Sequence, residues 1–485
     1  MLEKQLDNKI SSSTKWSFVG EVIAKLITPV TSMVLARVLT PDAFGIIAAI
    51  NMIISFADIF KDAGFQKYLI QHNFRSKKDL YSMANVAFIS NIFLSLIIVG
   101  IIFIFREQIA TLVGCQGLGN VISIASIQIF LTSISSIQTS LYRKNFEFKK
   151  LFYFRIVTAF IPLIITVPVA YITRSYWALI IGNLSSALTN SILLTIFSEW
   201  KPSFYFSFSL LREMFSFGIW NFGENIAIWL TSWIDTMLIG NTFSQYYLGI
   251  YKNSLNLVNS CMALITASII PVLYSAFSSI QNDEQEFKKV YFYYQKIIAF
   301  VLFPIGILIF SFKDMITLIL LGSQWREASD IIGIWGLMCS ISIVFNHING
   351  EVYRAKGRAD IAFIYQVIHL CFLIPTCLLS IKFGFWTLVY ARSLIKIQGI
   401  LTGFVFMNFF FKIRYIEMFN AIKKPAILAI VFALITSVFS KLSNDLLIEM
   451  VTCIGLCSVY LILLKMFFTE DWKNIVQFIR GGKKK

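Results

Sequence analysis

The stretch SYWALI at Ser175–Ile180 returns in altered form as GFWTLV at Gly384–Val389, 209 positions later. In both copies an aromatic residue is followed by Trp, a smaller residue and Leu. A motif that recurs within one chain indicates that the surrounding segments are two copies of one structural unit. The next question is whether other stretches recur at the same distance.

Two further pairs recur in the same order. AFGI at Ala43 is matched by YLGI at Tyr247, and LYRK at Leu141 is matched by VYRA at Val352, at offsets of 204 and 211. An alternative is chance recurrence, because Trp and Tyr collect near helix ends at a membrane interface. Three matches in one order at nearly one offset favour an internal repeat.

The composition is typical of a polytopic membrane protein. Of the 485 residues, 57% are hydrophobic and 14% are charged, and the mean hydropathy is +0.73. Soluble domains carry about 25% charged residues. The seven cysteines show no CxxC spacing and no Cys/His metal spacing, so neither a disulfide framework nor a metal site is predicted.

Long apolar runs predict an all-α protein with about fourteen transmembrane helices, because each run is near or above the ~20 residues that cross a bilayer. The predicted spans are residues 16–38, 43–64, 81–105, 118–141, 152–172, 176–198, 213–240, 248–276, 290–312, 328–350, 360–381, 385–409, 422–440 and 446–468. No alternating ten-residue pattern of a transmembrane β-barrel is present.

The repeat divides these spans into two pseudo-symmetric six-helix lobes and two extra helices. We predict an N-terminal lobe at 1–200, a C-terminal lobe at 201–411, and spans 13 and 14 with a basic tail at 412–485. A lobe with an even number of spans returns the chain to the side from which it entered. The second lobe therefore enters the membrane from the same side as the first. Their symmetry axis is therefore expected along the membrane normal, a known transporter plan.

Basic residues predict the orientation. With the N-terminus inside, 28 Lys and Arg fall on the inner side and 7 on the outer side, which predicts that both termini are cytoplasmic. The net charge of +16 then comes mainly from the basic residues that set the membrane orientation. No basic soluble face or nucleic-acid motif is present, so a nucleic-acid partner is not expected. The lysines of KKPA at 423–426 and of GGKKK at 481–485 could touch anionic membrane lipids, or they could serve only as topological anchors.

Charged residues inside the spans are candidate site residues, because an intramembrane ion is costly and usually faces a partner or a wet cavity. The strongest candidates lie deep in a span or on a polar stripe: Lys25, Lys252, Arg392 and Lys396, with Asn256 on the stripe of Lys252. The scaffold repeats, but these cations do not. At an offset of 209, Arg392 aligns with Asn183.

Carboxylates within the spans are candidates for ion coupling or gating. These are Glu21, Asp58, Glu224 and Asp235. Glu21 could instead form a neutral structural pair with Lys25, four residues away on the same helix face. Asp58 could belong to a charge cluster at the inner helix end. No Walker A motif, metal-ligand cluster or nucleophile elbow is present, so we predict neither an enzyme nor a cofactor.

Six stretches resemble, in order, the Wzx-type polysaccharide flippases of the multidrug/oligosaccharidyl-lipid/polysaccharide exporter superfamily. They are LARVLTPDAFGIIAA, GFQKYLIQ, YLGIYKNSL, IIPVLYSAFSSIQND, LGSQWREA and YRAKGRAD, within residues 15–410. The resemblance implies two six-helix lobes around a central cavity. It also implies a bacterial inner-membrane protein that flips undecaprenyl-diphosphate-linked oligosaccharide from the inner to the outer leaflet by alternating access.

With this substrate, Lys25, Arg392 and Lys396 are predicted to line the cavity and hold the diphosphate. The expected pathway is surface polysaccharide biosynthesis, such as lipopolysaccharide O-antigen, with glycan polymerase machinery as a further partner. Na⁺ or H⁺ is a possible coupling ion. Two alternatives stay open: a cation-coupled multidrug exporter of the same superfamily, and a membrane glycan polymerase or ligase, which would be expected to carry a sizeable outer loop.

Overall fold

A computed structural model describes residues 27–62, 64–440 and 445–479, and these residues contain helices but no strand. The long helices are α1 Ile27–Val38, α2 Pro41–Asp62, α3 Lys77–Ile104, α4 Gly119–Lys144, α5 Phe148–Thr173, α6 Trp177–Phe197, α7 Phe208–Thr242, α8 Gln245–Ser279, α9 Glu284–Ser311, α10 Ser323–Ala355, α11 Ala359–Ser380, α12 Phe385–Phe411, α13 Tyr415–Phe439, α14 Leu446–Phe467 and α15 Thr469–Ile479.

Eleven helices of the described chain are long and apolar enough to cross a membrane. This confirms an all-helical, multi-pass membrane protein, and each of the eleven coincides with one predicted span. Predicted spans 213–240 and 248–276 fall on α7 and α8. Of predicted span 16–38, residues 27–38 form α1, and residues 16–26 lie outside the described residues. The total of fourteen spans stays a prediction.

Local sequence explains where several helices begin. The Ser76 side chain accepts a hydrogen bond from the Asp79 amide at the start of α3, at 3.1 Å. Asp283 caps α9 by accepting from two backbone amides, both at 3.0 Å. Asp445 caps α14 in the same way. Short acceptor side chains satisfy N–H groups that have no partner in the first turn of a helix.

The described chain forms two compact units, residues 1–252 and 253–485. In the first unit, α4 packs between α3 and α6, and buried polar side chains lie in these contacts. The Asn91 amide donates to Ser136 Oγ at 2.8 Å, and the Ser95 and Ser133 hydroxyls are 3.1 Å apart. Small polar residues allow membrane helices to approach closely and to hydrogen-bond with each other.

A reciprocal glycine contact joins α2 and α8 in the first unit. A Cβ atom on Gly45 would overlap the carbonyl oxygen of Gln245 and lie 3.1 Å from the Gly249 nitrogen. A Cβ atom on Gly249 would overlap the carbonyl oxygen of Pro41 and lie 3.0 Å from the Gly45 nitrogen. Gly45 and Gly249 belong to the AFGI and YLGI motifs, and Pro41 and Gln245 are also 204 positions apart. The two motif copies therefore pack on each other through equivalent atoms.

In the second unit, α9 packs against both α10 and α13, and α11 packs against α12. The Tyr460 hydroxyl of α14 donates to the Phe300 carbonyl of α9 at 2.7 Å. Phe300, Phe432 and Tyr460 lie in one buried apolar cluster with residues of α15. The last three helices are therefore integral parts of this unit.

The order of elements also repeats along the chain. A short helix at 106–112 follows α3, and a short helix at 313–320 follows α9. Each is followed by a glycine with positive φ, Gly114 at 75° and Gly322 at 99°, a conformation that glycine adopts without strain. The lobe boundaries at 200/201 and 411/412 and the superposition of the two lobes stay predictions.

Membrane orientation can be tested with two reporter fusions. A fusion after Arg106 is expected to report the outer side, and a fusion after Lys149 the inner side, because α4 lies between them and basic residues concentrate at the Lys149 end. Alkaline phosphatase activity checks the first fusion and fluorescence of a cytoplasmic reporter the second. The opposite pattern in both fusions would reverse the predicted topology.

Candidate functional site

The predicted cations Arg392 and Lys396 both lie against one tryptophan. Lys396 Nζ is 4.0 Å from the centroid of the Trp335 ring, and Arg392 Cζ is 5.4 Å from it. The two cations are four residues apart on α12, so they project from one helix face. Arg392 is buried, with 7% of its surface exposed, and Lys396 is half-buried.

Trp335 is held in place by a second contact. Its indole N–H donates to Asn259 Oδ1 at 3.1 Å, and Asn259 lies on α8 within the second unit. Cys339, one turn after Trp335 on α10, lies 3.7 Å from the same oxygen. We call Asn259, Trp335, Cys339, Arg392 and Lys396 the Trp335 cluster. It joins α8, α10 and α12.

Two glycines next to the cluster allow α12 to approach its neighbours closely. A Cβ atom on Gly399 would lie 2.7 Å from the Tyr365 hydroxyl, and one on Gly403 would lie 2.8 Å from the Asn346 side chain. His369 shares a hydrogen bond of 2.9 Å with Gln398 Oε1. His369 is thus hydrogen-bonded within helix packing.

Lys252 and Asp235 lie together in the first unit, each among several hydrogen bonds. The Asp235 carboxylate accepts from the Tyr251 hydroxyl at 2.8 Å and from the Thr236 backbone amide at 2.6 Å. Lys252 Nζ donates to the Ser232 carbonyl at 2.9 Å and lies 3.9 Å from the Trp233 ring centroid. These bonds tie α7 to α8.

The other predicted residues are more dispersed. Asp58 pairs with Lys61 at 2.6 Å, and Lys61 also donates to the Thr132 hydroxyl at 2.7 Å, so α2 and α4 are joined there. Asn256 is exposed on α8. Glu21 and Lys25 lie outside the described residues, and the Glu224 side chain is not among those described.

The Trp335 cluster has the chemistry of an anion site. An arginine presents a planar fork to phosphate oxygens, and a lysine adds a point charge. An aromatic face attracts both cations and fixes their positions. Over the described ranges, no group of three His, Cys, Asp or Glu residues is placed to hold a metal ion.

The sequence alone did not single out Trp335, Asn259 or Cys339. Trp335 lies between Gly333 and Gly336, inside an apolar span. Tryptophan is more typical of the membrane interface. A tryptophan inside an apolar span is therefore the sequence feature that could have indicated a site residue here. Asn259 follows Lys252 and Asn256 at helical spacing on α8. This polar stripe is the sequence feature that could have indicated Asn259.

The chain is similar to several known proteins. Residues 34–330, more than half of the chain, match the family described as "Polysaccharide biosynthesis protein". The teichuronic acid biosynthesis protein TuaB of Bacillus subtilis is 23% identical over 94% of this chain and 96% of its own length. The lipopolysaccharide biosynthesis protein WzxC of Escherichia coli is 23% identical, over 77% of this chain and 76% of its own.

The fold is similar to that of the lipid II flippase MurJ in its inward closed conformation. The TM-score is 0.76 at 15% sequence identity, over 93% of this chain and 98% of MurJ. At that identity the likeness concerns the fold. The family match and the relatives confirm the resemblance to polysaccharide flippases noted from the sequence. The chain belongs to the polysaccharide biosynthesis protein family.

Proposed function

We propose that this protein flips a lipid-linked oligosaccharide, carried on undecaprenyl diphosphate, from the inner to the outer leaflet of the bacterial inner membrane. The movement occurs by alternating access and supplies surface polysaccharide biosynthesis. The family match and the names of TuaB and WzxC support the pathway. The MurJ-like fold supports a flippase of lipid-linked glycans.

The Trp335 cluster is the observation that carries the proposal. Arg392 and Lys396 project from one face of a membrane helix, and both lie over the Trp335 ring. Two neighbouring cations match the two neighbouring phosphates of a diphosphate. In a low-dielectric site such charge-assisted contacts are stronger than they are in water.

Direction and coupling belong to the same proposal. No ATP-binding motif is present in the sequence. A Na⁺ or H⁺ gradient would therefore drive the transport cycle, or consumption of the flipped lipid-linked oligosaccharide at the outer leaflet would do so. Asp235, Glu224, Asp58 and Glu21 stay the candidate coupling carboxylates. Delivery of the flipped lipid to glycan polymerase machinery on the outer side completes the proposed pathway.

Gene deletion tests the proposed function against multidrug export. In the source bacterium, the deletion strain is expected to lose surface glycan and to retain lipid-linked oligosaccharide on the inner leaflet. Spheroplasts probed with an impermeant lectin measure how much lipid-linked glycan reaches the outer leaflet, and a plasmid copy should restore it. Normal surface glycan together with increased drug sensitivity would instead support the exporter.

Substitution of Trp335 tests the role of its ring. Trp335→Phe keeps an aromatic face for the cations and is expected to retain export within about threefold, whereas Trp335→Leu is expected to lose about tenfold, because a desolvated cation–π contact is worth up to about 2 kcal/mol. Surface glycan per amount of membrane-inserted protein is the measurement. Equal export by the two variants would show that the aromatic face has no role.

A further inference from the structure

A basic cavity lies in the second unit, and none of its lining residues belongs to the Trp335 cluster. It has a volume of about 360 Å³ and is formed by α9, α13 and α15. Three lysines line it: Lys289 and Lys296 from α9, and Lys424 from α13. The only carboxylate among its described lining residues is that of Asp471, so the lining carries a net positive charge.

The remaining lining residues divide into polar and apolar groups. The Asn420 and Asn474 amides add hydrogen-bond donors, while Phe292, Ile297 and Phe300 form an apolar wall. A small inorganic anion would use only the polar part. An amphiphile with an anionic head and an acyl chain would use both parts, as lipids bound in basic pockets between membrane helices do.

The C-terminal helix α15 closes one side of the cavity. Its Asp471 pairs with Lys296 at 2.5 Å, and both side chains are mostly buried, with 11% and 27% exposed. Ile475 and Trp472 of α15 pack into the apolar cluster around Phe300. The cavity wall is thus held by an ion pair and by apolar packing. Lys289 and Lys424 are exposed: Lys289 lies 3.6 Å from Glu286 in a solvent-exposed ion pair, and Lys424 Nζ lies 5.9 Å from the Phe468 ring centroid.

We propose that this cavity binds the phosphodiester head group of an anionic glycerophospholipid as a resident lipid. Lys289 and Lys424 contact the phosphate, Asn420 and Asn474 donate to its oxygens, and the acyl chain lies along Phe292 and Ile297. The ligand is a bilayer lipid that stays bound, and it is distinct from the transported glycan lipid. Binding would hold α15 against α9 and α13.

Sequence neighbours provide a matched control. Lys288 precedes Lys289 and lines a different cleft, and Lys423 precedes Lys424 and does not line this cavity. The double variants Lys289→Ala/Lys424→Ala and Lys288→Ala/Lys423→Ala remove the same charge from the same two helix ends. Neither variant disturbs the Lys296–Asp471 pair that holds α15.

The purified full-length protein in detergent is titrated with phosphatidylglycerol or phosphatidylcholine, and bound lipid is counted by native mass spectrometry. The Lys289/Lys424 variant is expected to bind phosphatidylglycerol about 10- to 30-fold more weakly than the parent protein, given the contribution of each lysine near an anionic lipid surface. The Lys288/Lys423 variant is expected to stay within about twofold, and phosphatidylcholine should bind weakly to all three proteins. Thermal unfolding of each variant verifies that it is folded.

Four outcomes would overturn the proposal. Equal losses in both double variants would mean diffuse surface electrostatics. Unchanged binding by the Lys289/Lys424 variant would mean that the lipid binds elsewhere. Equal binding of phosphatidylcholine would exclude recognition of head-group charge. Displacement of phosphatidylglycerol by millimolar inorganic phosphate or pyrophosphate would identify a site for free anions instead of a lipid.

Discussion

Arg392→Ala is expected to reduce surface-glycan export by at least about tenfold without changing the amount of membrane-inserted protein. Each charge-assisted hydrogen bond to a phosphate contributes about 1.5–3 kcal/mol, and alanine removes the guanidinium that makes them. Arg392→Lys should retain part of the activity, because the charge survives while the bidentate fork does not. Complementation of a flippase-deletion strain gives the export, and a quantitative blot gives the protein amount.

The control for this prediction is Lys382→Ala. Lys382 lies in the short turn that precedes α12 and is exposed, so its substitution removes one positive charge outside the cluster. Full export is expected for it. Full export by the double variant Arg392→Ala/Lys396→Ala at normal protein level would mean that the two cations serve only helix packing against Trp335, and phosphate binding there would be rejected.

Gly45→Ala and Gly249→Ala are each expected to lower the thermal stability of the protein strongly and to remove most of its export. Overpacking typically costs about 1–3 kcal/mol, and here the obstruction is backbone, which cannot rotate away. A new Cβ atom on Gly45 would lie 2.8 Å from the Gln245 carbonyl carbon, and one on Gly249 would lie 2.7 Å from that of Pro41. Thermal unfolding in detergent measures the effect.

Gly100 offers the comparison for these variants. It lies inside α3, and a Cβ atom there would meet nothing within 4 Å. Gly100→Ala should therefore be neutral or slightly stabilising, since alanine is the better helix former. If Gly45→Ala and Gly249→Ala melt at the same temperature as Gly100→Ala, α2 and α8 can move apart without loss of stability, and the prediction is wrong.

Hydropathy predicted the helices well because a bilayer requires long apolar runs whose backbone groups are satisfied internally. The predicted span 385–409 is observed as Phe385–Phe411, and 446–468 as Leu446–Phe467. The short helices 106–112 and 313–320 were not predicted. They are too short to show a periodic pattern, and their ends depend on neighbouring loops.

The site was predictable only in part. Charge within an apolar run identified Arg392 and Lys396, and their four-residue spacing placed them on one face. Their common partner Trp335 could not be found in this way, because contacts between α10 and α12 depend on helix rotation, which one sequence does not fix. For the same reason the hydrogen bonds of Lys252 to Ser232 and Thr236 were not foreseen.

The reciprocal contact of Gly45 and Gly249 has the form of an isologous interface, in which residue i touches j and the equivalent of j touches the equivalent of i. Such self-complementary contacts normally join identical subunits about a twofold axis. Here one chain supplies both motif copies. A substitution can therefore change one copy and leave the other intact, which is impossible between identical subunits. Yet each motif lies against the backbone of the other, and their substitutions should be thermodynamically coupled. Once Gly45→Ala has pushed α2 and α8 apart, Gly249→Ala should add little, and the double-mutant cycle should show less than the sum of the two single losses.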